Sequence, residues 1–123
     1  MTIVLNHTIV AAKNKREAAR WFADIFGLPF DEAAATHFAP VRVNDTLTLL
    51  FDDEARFSPS HYAFHVSEAE FDGIFGRVQA SGTKFGSAPG NFEDGKLNHW
   101  NGGRGVYFRS PDGHVLELMT VAQ

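Results

Sequence analysis

The same order of predicted elements occurs twice along this chain, and this internal repeat constrains the fold more than any other feature. Each half begins with an apolar strand, continues with a helix and ends with short strands. One such unit alone would leave a face of its sheet unburied, so we expect the two to fold together. The sequence therefore predicts one α+β domain over 1–123, with a first module at 1–55, a linker at 56–60 and a second module at 61–123.

Apolar periodicity and cap residues define the first module. Asn14 is a suitable helix N-cap, the apolar residues after it recur at helical spacing, and Gly27 is placed to end the helix. Asn44 and Asp45 favour a tight turn between two strands. The predicted strands are 2–10, a weak strand at 30–34, and a hairpin of 37–43 and 46–51.

The second module repeats this order. Ser67 and Glu70 form the Ser-x-x-Glu pattern of a capping box, and the apolar residues that follow lie at i, i+3, i+4 and i+7. Gly82 occupies the position of a left-handed residue after a helix. The predicted strands are 61–66, a short strand at Phe85, and a hairpin of 106–109 and 115–119.

Composition narrows the possible chemistry and partners. The absence of cysteine excludes disulfides, thiolate metal sites and a thiol nucleophile, whereas six histidines and fifteen carboxylates remain available. A net charge of -4 with scattered basic residues argues against a nucleic-acid partner. The apolar runs are strand-sized and the N-terminus lacks signal-peptide features, so we expect a soluble, cytoplasmic protein without membrane contact.

Polar residues interrupt strands that should be apolar. Strand alternation puts His61 and His65 on one face, and it puts Glu117 in the middle of an apolar strand. A buried carboxylate requires a partner, which could be a cation, a metal or hydrogen-bond donors. His7 occupies the mid-strand position in the first module that His61 occupies in the second. Two imidazoles and one carboxylate are a set suited to one divalent metal ion, such as Zn, Ni, Mn or Fe(II).

A structural explanation of the same residues stays open at this point. His7 could be a hydrogen-bonded core histidine, and Glu117 could pair with Arg109 or Arg42. For each residue alone this explanation is the simpler one. Their joint placement in a duplicated fold favours the metal.

Three stretches carry a family resemblance: Asn-His-Thr at 6–8, Ser-His-Tyr-Ala-Phe at 60–64 and Pro-Asp-Gly-His-Val-Leu-Glu at 111–117. They resemble the vicinal oxygen chelate superfamily, which includes glyoxalase I, extradiol dioxygenases, fosfomycin thiol transferases and bleomycin-resistance proteins. The resemblance implies two βαβββ modules whose mixed sheets curl into a cup with helices outside, paired in a homodimer.

The resemblance also implies a function and a set of metal ligands. The expected protein is a divalent-metal-dependent enzyme that acts on a small oxygenated substrate, with His7, His61 and Glu117 as ligands from one chain or from two. The resemblance selects His61 over His65 as the ligand, because the ligand histidine of such proteins begins the His-x-Ala-Phe run. The alternative is a non-catalytic protein that sequesters a drug or metabolite, like bleomycin-resistance proteins.

Further residues are candidates for catalysis or substrate binding. His65 and Tyr107 are the candidate acid/base groups, and Tyr107 precedes Glu117 by ten residues, as does a substrate-contacting tyrosine in the fosfomycin branch. The glycine-rich loop 86–105 is interpreted as a flap over the cup or, alternatively, as a surface loop packed on a dimer partner. The substrate-binding candidates are Asn98, Trp100, Arg104, Arg109 and Thr48; His99 is a possible pocket contact, and His37 and His114 are expected at the surface.

The pattern departs from glyoxalase I in the first module. Glyoxalase I has a glutamate there that serves as ligand and catalytic base, and the corresponding position here is most simply Thr48. A hydroxyl cannot act as that base near neutral pH, which argues against the usual isomerisation. Extradiol dioxygenases commonly have four modules, and the basic cluster that holds a phosphonate in the fosfomycin branch is not recognisable here.

Overall fold

The structure is a computed structural model that describes residues 2–123. The chain divides into two compact units, one ending at Ser58 and one beginning at Pro59, and the division lies in the predicted linker. The elements are β1 (His7–Ala12), α1 (Lys15–Phe26), β2 (Ala39–Arg42), β3 (Thr48–Asp53), β4 (His61–His65), α2 (Glu68–Ala80), β5 (Phe85–Gly86), β6 (Gly105–Arg109) and β7 (Val115–Met119), with 3₁₀ turns at Glu32–Ala34 and Trp100–Gly102.

The first unit is a three-stranded mixed sheet with α1 on one face. The strand order is β1-β3-β2, with β1 parallel and β2 antiparallel to β3. Val10, Leu49 and Phe51 are buried on the helix side, where Phe22 of α1 lies 5.9 Å from Phe51 between ring centroids. The opposite face carries His7 and is more open.

Both predicted helices are confirmed together with their caps. Asn14 Oδ1 accepts the backbone N–H of Glu17 at 3.1 Å, and Gly27 ends α1 in the left-handed region at φ 69°. Ser67 and Glu70 form the reciprocal capping box of α2. These contacts satisfy N–H groups that a helix leaves without an internal partner.

In the first unit one predicted strand is confirmed in part, with a later start, and another is wrong. The predicted strand at 2–10 begins only at His7, because β3 starts at Thr48, opposite His7, and gives the preceding residues no strand partner. Ile3 is therefore 91% exposed. The weak strand predicted at 30–34 is a 3₁₀ turn at Glu32–Ala34, where Asp31 Oδ1 accepts the N–H of Ala33.

The second unit is a four-stranded mixed sheet in the order β4-β7-β6-β5, with β4 parallel to β7 and the other pairs antiparallel. Leu116, Leu118 and Phe108 are buried on one face of this sheet. Helix α2 covers that face, because Phe85, the strand partner of Phe108, packs edge-on against Phe75 of α2 with 4.9 Å between the ring centroids. Over residues 2–123 the fold is α+β, with two helices and two mixed sheets, as the sequence predicts. No helix among residues 2–123 is both long enough and apolar enough to cross a bilayer.

Candidate metal and substrate site

The register of the second sheet gathers polar side chains on its face away from α2. Ala63, Glu117 and Tyr107 are direct neighbours across three strands, and His61 lies two residues before Ala63 on the same face. His61 Nε2 lies 3.0 Å from Glu117 Oε1. The parallel pairing of β4 with β7 therefore brings together two of the three predicted metal ligands.

Glu117 is 4% exposed and is surrounded by hydrogen-bond donors. Its Oε1 faces His61, its Oε2 accepts from Gln123 Nε2 at 3.3 Å, and the carboxylate also accepts from the phenol of Tyr107. Arg109, a partner that the sequence left open, instead lies over the ring of Phe92 at 4.6 Å. The buried charge is thus stabilised by hydrogen bonds and by His61 rather than by a guanidinium.

Tyr107 is 3% exposed and is held in its neutral form. Burial raises the pKa of its phenol well above the ordinary value, and the adjacent Glu117 carboxylate raises that pKa further by accepting its proton in a hydrogen bond and by its charge. Near neutral pH the side chain is therefore a hydrogen-bond donor and cannot serve as a base.

Aromatic rings surround Tyr107. Its ring centroid lies 6.0 Å from Trp100, 6.1 Å from Phe92 and 5.8 Å from His61. Trp100 is 44% exposed, so much of its ring is open to solvent. We call Phe92, Trp100 and Tyr107 the aromatic cluster; with Arg109 stacked on Phe92, it forms an apolar surface with a cation at its edge.

Two predicted substrate contacts are used for other purposes. Arg104 donates to Glu68 at 2.9 Å and to Asp72 at 2.8 Å, so its guanidinium is bound to α2. Asn98 is buried and donates to the Ser87 carbonyl at 2.8 Å, while its Oδ1 accepts from the N–H of Trp100. Both side chains fix the loop in these contacts, and their roles in substrate binding stay predictions.

His65 lies at the far end of β4. Its Nε2 is 3.2 Å from the Thr120 carbonyl oxygen and therefore donates to it. The ring is exposed, and it lies on the same face as His61. It remains a candidate for proton transfer at the margin of the site.

In the first unit the register places His7 and Thr48 directly opposite each other. His61 in the second unit is opposite Val115, so Thr48 corresponds to Val115, and Leu50 corresponds to Glu117 two residues further on. The assignment of Thr48 as the counterpart of Glu117 is thus shifted by two residues. A leucine side chain, like a threonine hydroxyl, cannot act as a base near neutral pH.

Two contributors were missed from the sequence. Nothing local signals that Gln123 reaches Glu117. His114 was expected at the surface but is 3% exposed, and its Nδ1 accepts the N–H of Ser60 at 2.9 Å. The alternation of β7 held the signal, since His114 is in phase with the buried Leu116 and Leu118.

Comparison with known proteins places this fold in a family. The family described as the Glyoxalase/Bleomycin resistance protein/Dioxygenase superfamily matches residues 4–118. The chain belongs to this superfamily. The resemblance seen in the sequence motifs is therefore confirmed at the level of the superfamily.

Three relatives show the range of its members. The solved structure of Oxidase ChaP-H2 superposes with a TM-score of 0.91 at 44% identity, covering 99% of this chain and 96% of that one. Glutathione transferase FosA of Serratia marcescens is 29% identical over 93% of this chain and 78% of that protein. Metallothiol transferase FosB of Shouchella clausii is 36% identical over 54% of this chain, which spans 42% of that protein. By their names, all three are enzymes.

The donor atoms of the second unit fit a divalent metal. Imidazole nitrogen and carboxylate oxygen are ordinary ligands of such ions, and two atoms about 2.1 Å from one ion at a right angle are about 3.0 Å apart. His61 Nε2 and Glu117 Oε1 have that separation. Among residues 2–123 no group of three or more such side chains is already assembled as a metal site. Within the part of the chain that the structure describes, the fit is therefore that of two donors, His61 and Glu117.

Proposed function

We propose that this protein is a divalent-metal-dependent enzyme that acts on a small oxygenated organic substrate. The observation that carries the proposal is the pair of His61 Nε2 and Glu117 Oε1, 3.0 Å apart on one sheet face with the carboxylate buried. His7 is our third ligand, because it starts β1 as His61 starts β4. A metal held there would bind two neighbouring substrate oxygens and stabilise the negative charge that develops on them.

The surrounding residues would bind and orient the substrate. The exposed part of Trp100 offers a surface on which a flat molecule can stack, and Arg109 at the edge of the aromatic cluster favours a negative or strongly polar group. Tyr107 fixes the Glu117 carboxylate by its hydrogen bond. His65 is the side chain on this face that we assign to proton transfer.

Among the reactions in the names of the relatives, we favour oxidation over thiol transfer. The identity to the oxidase is 44% over nearly the whole chain, against 29% to the glutathione transferase. With no cysteine in the chain, any thiol chemistry would require a thiol brought by a second substrate. Two assays distinguish these reactions. Oxygen uptake with catechol as a probe measures oxidation, and loss of glutathione in the presence of an epoxide measures thiol transfer.

Metal titration tests the site itself. Protein stripped with a chelator is titrated calorimetrically with Mn²⁺, Zn²⁺, Ni²⁺ or, without oxygen, Fe²⁺. We expect one ion per chain, and a loss of affinity of roughly hundredfold or more in Glu117→Ala and His61→Ala. His65→Ala is the matched control and should bind as the wild type does. A wild type that binds no ion, or a Glu117→Ala variant with unchanged affinity, refutes the proposal.

We also propose that the protein is a homodimer. Sedimentation gives the oligomeric state, and mixing two inactive variants shows where the ligands come from. If they come from two chains, His7→Ala mixed with Glu117→Ala regains binding at up to one site per dimer. If one chain supplies all three, the mixture stays without metal.

A sequestering protein is the second candidate, favoured by the 44% exposed ring of Trp100 in the aromatic cluster. Such a protein would bind a flat ligand through stacking alone. Tight binding of an aromatic drug by metal-free protein, unchanged in His61→Ala and weakened in Trp100→Ala, would favour this function over the enzyme.

A further inference from the structure

His114 joins the two strands that carry His61 and Glu117. It directly precedes β7, and its Nδ1 accepts the backbone N–H of Ser60, the residue before β4. The Ser60 carbonyl in turn accepts the N–H of Val115 at 2.9 Å. Both backbone groups of Ser60 are therefore bonded to residues 114 and 115.

The surroundings of His114 define the form of its ring. A backbone N–H can only donate, so Nδ1 must be unprotonated, and in the neutral ring the proton is on Nε2. The ring is 3% exposed and packs edge-on against Tyr62 at 5.8 Å. The backbone of His114 is fixed by the turn, since Ser110 Oγ accepts its N–H and the N–H of Ser110 donates to its carbonyl.

The position of this contact gives it a functional consequence. β4 has five residues and lies at the end of its sheet, and His61 is its first residue. Strand ends and sheet edges have the fewest backbone bonds to hold them. The bond from Ser60 to His114 fastens the chain directly before His61 to the strand that places Glu117.

We propose that His114 is a positioning residue for the metal pair, which sets His61 Nε2 against Glu117 Oε1 by holding Ser60. This inference rests on the proposed metal-dependent function. His114 touches neither the metal nor the substrate and acts through the backbone of Ser60. Groups that orient metal ligands commonly change metal affinity by 10–100-fold when they are removed.

Two amide variants separate positioning from packing. In His114→Asn the side-chain oxygen can occupy the place of Nδ1 and accept from Ser60, whereas in His114→Gln the oxygen lies one bond further out. Both remove the ring and its contact with Tyr62. We expect the two to lose similar thermal stability. The Asn variant should keep metal affinity within about threefold of wild type, and the Gln variant should bind about tenfold more weakly.

Calorimetric titration of wild type and both variants measures the metal affinity. Thermal melting of the metal-free proteins, followed by circular dichroism, measures their stability. Equal metal affinity in the two variants overturns the positioning role, whatever their stability. If wild type binds no metal, the proposed function fails and this inference fails with it. If wild type binds metal and the two variants bind it equally well, only the positioning role fails and the proposed function stands.

A measurement on wild type keeps the inference testable if the Gln variant does not fold. In protein with ¹⁵N-labelled histidine, two-bond nitrogen–proton correlations show which ring nitrogen carries the proton. We expect His114 to be protonated on Nε2 alone at neutral pH, with and without metal. A proton on Nδ1 in either state would refute the bond to Ser60 and with it the positioning role.

Discussion

The hydroxyl of Tyr107 should stabilise the folded protein measurably, because it is buried and donates to a buried carboxylate. Tyr107→Phe keeps the ring in the aromatic cluster and removes only this donor. A hydrogen bond to a charged group contributes roughly 1.5–3 kcal/mol to the free energy of unfolding. We expect a loss of that size at pH 7, which for an m value of roughly 1–3 kcal/mol per M lowers the urea midpoint by about 1 M.

The pH dependence of that loss follows from the direction of the pKa shift. The pKa of Tyr107 is raised in the folded protein, so the folded state keeps a proton that the unfolded state releases near its ordinary pKa of about 10. The stabilisation is complete below that pH and is lost as the pH rises towards the folded pKa. Wild type therefore loses stability by up to about 1.4 kcal/mol per pH unit in this range, relative to Tyr107→Phe.

Urea unfolding followed by circular dichroism from pH 7 to pH 11 measures both effects. The difference between wild type and Tyr107→Phe should be constant up to about pH 9 and should then narrow. Tyr62→Phe is the control, because it removes a phenol hydroxyl on the opposite face of the same sheet. Equal stability of wild type and Tyr107→Phe at pH 7, or a difference that does not change up to pH 11, would refute the reasoning.

Two stability predictions follow from local geometry, both measured by urea unfolding. Asn14→Ala removes the N-cap of α1 and should cost about 1 kcal/mol, whereas Asn14→Asp keeps the acceptor and should cost little; equal losses would contradict the cap. Gly86→Ala places a Cβ against the backbone of Asn91 and should cost roughly 1–3 kcal/mol. A Cβ at Gly76 in α2 would lie in open space, so Gly76→Ala should stabilise the protein by up to about 1 kcal/mol. A loss at Gly76 as large as that at Gly86 would show that the contact with Asn91 does not cause the loss at Gly86.

Local features were predictable because their information lies within a few residues. The caps at Asn14 and Ser67 depend on side chains that bond to N–H groups three residues away. From the sequence alone, strand alternation likewise placed His61 and Glu117 on the face of the sheet that does not pack against the helix. The superfamily was recognisable from three short motifs for the same reason.

Elements that depend on a distant partner were predicted less well. Residues 2–6 have a strand pattern but no strand opposite them in their unit, and 30–34 forms a 3₁₀ turn capped by Asp31. A segment with strand propensity forms a strand only where a neighbouring strand can pair with it, because the hydrogen bonds and side-chain contacts that stabilise a strand come from its neighbour. The ion pairs of Arg104 with Glu68 and Asp72 were likewise not predictable, because the sequence does not show which residues α2 brings near this side chain.

The sequence by itself determined the repeated order of elements, the two capped helices, the lack of a cysteine thiol in this chain and the presence of a carboxylate in an apolar strand. Only the tertiary structure decided which groups satisfy that carboxylate: His61, Tyr107 and Gln123 rather than an arginine. The physical reason is register. Whether two side chains far apart in the chain come within 3.0 Å depends on how β4, β7 and β6 align, and that alignment is a property of the whole sheet.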